Sequence, residues 1–150
     1  MPTNPKEYYP PMHTAEHILN QTMIRMFNTE RSFSNHIERK KSKCDYRFNR
    51  NLNDDELINL QNEINKIIGL NLDVTERIIN AEDAEGLINF ERLPEDFGEQ
   101  IRLIQIGRYD TCPCSGVRVH NTSEIGNIRI ISTSYDDEVL RVRFKLQAKI

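Results

Sequence analysis

The sequence predicts an α+β fold: a two-layer sandwich of a mostly antiparallel sheet with helices on one face. Three observations carry this. Leu57, Leu60, Ile64 and Ile67 recur at helical spacing behind an Asn53/Glu56 pair that can close a capping box. Arg141, Arg143 and Lys145 alternate with Val142, Phe144 and Leu146, as in a strand wet on one face and buried on the other. Apolar runs at 128–132 and 139–146 flank Tyr135-Asp136-Asp137-Glu138, which predicts a hairpin. Helices set against one face of such a sheet is the simplest packing of these parts.

Taken in order, Pro10 and Pro11 close an extended lead-in. A helix follows over 12–27, with Ile18, Leu19, Thr22, Met23 and Met26 on its apolar stripe. Cys44, Tyr46 and Phe48 alternate with Asp45 and Arg47, so 43–49 reads as a strand. The capped helix begins after Asn53, and Gly69 is its expected stop. Residues 72–80 read as a strand, 81–88 as a short helix and 101–109 as another strand, before the two hairpin arms.

The 150 residues suit one domain, 1–150, with one core. Charged residues make up 29%, and no apolar run approaches the roughly 20 residues that cross a bilayer. The start, Met-Pro-Thr-Asn-Pro-Lys-Glu, has no basic segment followed by an apolar one, which argues against a signal peptide. Three cysteines, an odd number, argue against a disulfide framework and favour the cytoplasm. Net charge is −3, yet Arg39, Lys40, Lys41, Lys43, Arg47 and Arg50 fall close together. A local basic patch can guide a phosphate backbone in an acidic chain; a solvated surface of mixed charge is the plainer alternative.

Two segments can do chemistry. In His13-Thr14-Ala15-Glu16-His17 the histidines stand at i and i+4, one turn apart on one helical face, so two imidazoles can grip one ion. Surface or capping histidines would read the same way. Asp110-Thr111-Cys112-Pro113-Cys114-Ser115-Gly116-Val117-Arg118-Val119-His120 follows a predicted strand and offers thiolates and an imidazole. A tight turn with buried, inert thiols is the alternative there. Together the segments supply a His, His, Cys set from opposite ends of the chain.

These residues carry a resemblance. His13-Thr-Ala-Glu-His17-Ile-Leu resembles the His-Thr-Ala-x-His-Leu-Leu signature of alanyl-tRNA synthetase editing domains, shared by free-standing AlaX-type proteins and by the threonyl-tRNA synthetase editing domain. Pro113-Cys114-Ser-Gly116, then Asn121-Thr122-Ser-Glu124-Ile125-Gly126, resembles the second block of that signature, closer to the alanyl branch. The resemblance spans nearly the whole chain. It implies the editing-domain fold, in a form like a minimal AlaX-type protein without the larger relatives' additional domains. It also implies a deacylase that hydrolyses mischarged tRNA, Ser-tRNA(Ala) foremost and Gly-tRNA(Ala) next. Such editing is needed where a hydrophobic pocket discriminates by only about one or two hundred-fold.

The family holds zinc with the two helix histidines, the cysteine and a histidine four residues after it. His13, His17 and Cys114 match, but Arg118 stands in the fourth place. A guanidinium has no lone pair to give and stays charged. At about 4 Å it would repel a cation by about 4 kcal/mol per unit charge at an effective dielectric of 20. His120 or solvent is the expected replacement; Cys112, a three-ligand site or loss of the metal are the alternatives. Glu16, His36 and Arg118 are expected to line the pocket or orient a ligand, with plain surface placement open for Glu16 and His36. Lys40, Lys41 and Lys43 are candidates for tRNA contact, while Asn121 and Thr122 are expected to shape the loop. Two other functions compete: a tRNA-binding module without turnover, and a zinc hydrolase acting on another small ester.

Overall fold

The computed structural model describes residues 9–80, 100–113 and 117–147. It contains two helices and seven strands among them: α1 (Pro10–Phe27), β1 (Ser34–His36), β2 (Ser42–Arg47), α2 (Asp54–Ile68), β3 (Val74–Asn80), β4 (Gln100–Ile106), β5 (Asp110–Pro113), β6 (Asn127–Asp136) and β7 (Val139–Gln147). The α+β architecture agrees with the expectation. The antiparallel strands, however, form two sheets, one of order β1-β2-β7-β6 and one of order β3-β4-β5. The short helix expected at 81–88 lies outside the described residues.

Helix α1 starts with proline in its first turn, where a missing N–H costs nothing. It stops at Asn28, whose left-handed φ of 58° suits a C-terminal asparagine. Helix α2 has the anticipated capping box: the Asn53 side chain accepts from the Glu56 N–H, and the Glu56 carboxylate accepts from the Asn53 N–H. Gly69 caps its end but keeps right-handed geometry. The left-handed residue is Asn71, φ 55°.

Met12, Ala15, Ile18, Leu19 and Met23 of α1 and Leu60, Ile64 and Ile68 of α2 share one core with Cys44, Tyr46, Leu140, Val142 and Phe144. The helices thus cover the even-numbered face of β2 and β7. The odd-numbered residues of those strands face away. β6 and β7 meet through Asp137 and Glu138, both at positive φ (48° and 64°), the backbone of a two-residue hairpin turn. Strands β1 and β5 escaped the sequence reading because they are short and carry no apolar alternation.

The Asn121-Thr122-Ser123-Glu124 run is a clamp. Asn121 and Glu124 cap a single 3₁₀ turn, Thr122–Glu124. The buried Thr122 hydroxyl donates to the Ile68 carbonyl (2.8 Å) and accepts from the Leu72 N–H (2.9 Å). Asn121 Nδ2 donates to the Asn71 carbonyl (3.0 Å). These bonds pin the late segment to the corner between α2 and β3, in agreement with a loop-shaping role.

Candidate functional site

The opening helix and the late segment meet. His17 Nδ1 lies 3.4 Å from Asp110 Oδ2 at the head of β5. One turn earlier, Thr14 Oγ1 accepts from the Val119 N–H at 3.3 Å. Residues on either side of Cys114 in the sequence therefore both touch α1. Cys114 itself lies outside the described residues.

His13 and His17 occupy one face of α1, and the Nε2 atoms of both are buried. Asp110 is buried and held on three sides: by His17, by Gln21 Nε2 (2.9 Å) and by an ion pair with Arg31. Burial alone would raise its pKa; the hydrogen bond from His17 and the charge and hydrogen bond of Arg31 outweigh that and hold it below the usual carboxylate range. Arg31 gains in turn: burial would lower its pKa, but Asp110, with Cys112 and Glu16, raises it.

A carboxylate at Nδ1 fixes a histidine's tautomer and leaves Nε2 as the nitrogen that can bind an ion. The described residues thus fit zinc as the histidine half of a site, with Asp110 orienting one ligand. No three His, Cys, Asp or Glu side chains gather as a complete cage among the described residues, so any full shell has to draw on a donor outside them.

The remaining candidates separate. Arg118 is buried (8% exposed), and its Nη1 donates to the Val117 carbonyl at 3.1 Å. His120 is exposed; its N–H donates to Glu124 at 2.8 Å, and it lines an open cleft with Glu76, Arg102 and Arg118. Glu16 is buried (9% exposed) rather than solvated, and accepts from Asn35 Nδ2 at 2.8 Å. Strand alternation in β1 turns Asn35 toward α1 and His36 to the other side. There His36 meets Glu38 at 2.9 Å and lines a shallow pocket with Lys41, Lys43 and Arg143. Lys40 is exposed.

Behind Glu16 runs a polar network that sequence reasoning missed. The Ser32 hydroxyl donates to Asn35 Oδ1. Asn20 Oδ1 accepts from the Ser32 N–H (3.0 Å) and from the Tyr46 hydroxyl (2.8 Å). Burial first, then Glu16, pushes the Cys44 thiol well up, so it is a neutral wall rather than a nucleophile. Asp110 and Arg31 are the site residues that spacing did not reveal. For Asp110, a lone acid at the start of the Cys-rich segment was the available signal.

Residues 101–142 match the family described as threonyl and alanyl tRNA synthetase second additional domain. An alanine–tRNA ligase, chloroplastic/mitochondrial, of Populus trichocarpa is 31% identical over 121 residues, 80% of this chain and 12% of that protein. The alanine–tRNA ligase of Pseudothermotoga lettingae is 29% identical over 125 residues, 81% of this chain and 14% of the ligase. That of Methanopyrus kandleri is 27% identical over 136 residues, 88% and 15%. The chain thus spans between 12% and 15% of the length of these relatives.

Proposed function

The chain resembles a segment of the alanyl-tRNA synthetases across 80% of its length, and on that premise we propose that it is an aminoacyl-tRNA deacylase. Its substrate is a small amino acid wrongly esterified to the 3′ end of alanine tRNA, serine foremost and glycine next. Water attacks the ester carbonyl, and free amino acid and tRNA leave. His13 and His17 would hold a zinc ion with Cys114, and solvent rather than the exposed His120 would complete the shell. When bound, zinc supplies a Lewis acid beside the scissile ester. The protein's own residues prepare the site. Asp110 fixes the His17 ring, and Arg31 and Gln21 fix Asp110. Glu16 and Asn35 offer a hydrogen-bonding wall suited to a small polar side chain. The cytoplasm, where translation runs, is the setting.

The observation that carries this reading is the His17–Asp110 contact. It joins the two motif blocks and orients a histidine as metal sites do. A second reading, tRNA binding without turnover, draws on the buried Arg118 in the slot four residues after Cys114.

Deacylation of Ser-tRNA(Ala), Gly-tRNA(Ala) and Ser-tRNA(Thr), with enzyme far below substrate and zinc content measured alongside, tests both. Multiple turnovers on Ser-tRNA(Ala), abolished in His13→Ala, are expected. Arg118→His is expected to raise zinc occupancy. Binding without turnover would decide for the second reading.

A further inference from the structure

We infer that the face of the four-stranded sheet turned away from the helices grips the phosphate backbone of the tRNA whose 3′ end enters the site; this rests on the deacylase reading. Paired residues of antiparallel strands share a face. The pairings His36↔Lys43, Lys43↔Arg143 and Arg143↔Ser132 therefore lay one cross-strand row on the side away from the helices. The next row on β6 and β7 pairs Arg129 with Lys145. Lys41, just ahead of β2, extends the cluster into the pocket of about 180 Å³ that Lys43 and Arg143 line together with His36 and its partner Glu38, the one acid there among the described residues.

The cationic character is local. One row over, Arg141 is neutralised by Asp45 through two hydrogen bonds (2.8 and 3.0 Å). Arg47 lies stacked on Phe33, 4.0 Å from the ring centre. By contrast Lys41, Lys43, Arg129, Arg143 and Lys145 form no ion pair among the described residues. Among the described residues, the hydrogen bonds of Arg143 go to Ser132 and Ser134. A chain of net charge −3 that gathers unpaired cations on one strand face has built a surface for a polyanion.

The geometry favours nucleic acid over a compact acidic ligand. The cations repeat about 5 Å across strands and about 7 Å along them, a lattice suited to successive phosphates. Position adds to this. β1 is an edge strand, with His36 on the cationic side and Asn35 on the side of Glu16 and α1. An RNA strand held on the outer face needs only to cross that one edge to deliver its 3′ end to the histidines.

The test titrates labelled, unacylated alanine tRNA with the full chain across salt concentrations. In parallel, it follows hydrolysis of a 3′-seryl adenosine ester, which has no phosphate backbone. Arg143→Gln/Lys145→Gln is expected to flatten the slope of log affinity against log salt by about 1.5, and Arg129→Gln by about 0.8, at roughly 0.7–0.9 per lost phosphate contact. Small-ester hydrolysis should stay at the wild-type rate, which also shows that the variants fold. An unchanged slope in both variants, or no tRNA binding by the wild type, overturns the inference. So does displacement of the tRNA by polyglutamate at matched charge, which would assign the face to acidic proteins. Wild-type protein that binds tRNA with the expected slopes yet hydrolyses neither the seryl adenosine ester nor Ser-tRNA(Ala), assayed alongside, supports this surface and overturns the deacylase reading instead.

Discussion

Asp110 shows how one side chain can decide a site without touching substrate. It is buried, so it needs partners, and it finds His17, Gln21 and Arg31. Its carboxylate meets His17 at Nδ1 and leaves Nε2 as the nitrogen for the proposed metal. Asp110→Asn keeps the shape and removes the charge, and an amide can offer the wrong hydrogen-bond polarity to Nδ1. Partners of this kind typically change metal affinity by about 10–100-fold. A zinc affinity reduced within that range, read by competition with a chromogenic chelator, is the expected outcome. An unaltered affinity would remove Asp110 from the site. Charge on Arg31 is expected to persist in the variant without its buried partner, so a marked loss of thermal stability should accompany the change.

At the scale of the element, α2 owes its start to an ion-paired capping box. Arg50 grips both Glu56 oxygens (2.7 and 2.8 Å) while Glu56 also accepts from the Asn53 N–H. The hydrogen bond from Arg50, then that from Asn53, lower the Glu56 pKa from 4.5 to about 2. A carboxylate depressed on folding stabilises above its unfolded pKa and loses that contribution as pH falls through the folded one. The contribution is therefore complete above about pH 4.5 and gone near pH 2. Melting curves of the wild type and Glu56→Gln should differ most at neutral pH and converge across that window. A gap as wide at pH 3 as at pH 7 would show that charge is not what holds the cap. The pair is at the surface, so high salt should narrow the neutral-pH gap as well.

For the whole molecule, the question is what brings distant segments together. The Thr122 clamp ties the late segment to the α2–β3 corner, and through Val119 and Thr14 that segment reaches α1. Thr122→Val keeps the volume but strands the Leu72 N–H and leaves the Ile68 carbonyl with the Asn71 N–H alone. An unsatisfied group of this kind costs about 1–3 kcal/mol, so a loss of about 1–3 kcal/mol in urea unfolding is expected. A loss below about 1 kcal/mol would mean that solvent replaces the clamp. Because the same segment follows directly on Cys114 in the sequence, zinc content should fall with stability in this variant.

The sequence by itself determined the elements whose signals are local. Capping chemistry at Asn53 and Glu56, apolar spacing along both helices and alternation in β7 are written into neighbouring residues, and each appears where its pattern placed it. The histidine pair was legible for the same reason, since i and i+4 share a helical face whatever surrounds them. Tertiary structure alone decided the rest. Three-residue β1 has no alternation to read, yet pairing with β2 turns Asn35 inward and His36 outward. Glu16, which composition would leave in water, is buried because a strand from elsewhere in the chain brings it an amide. Asp110 lies 93 residues after His17 in the sequence and 3.4 Å from it in space. Short-range periodicity cannot encode such a pairing; it arises only when a buried carboxylate has to find its counter-charges among whatever the folded core sets around it.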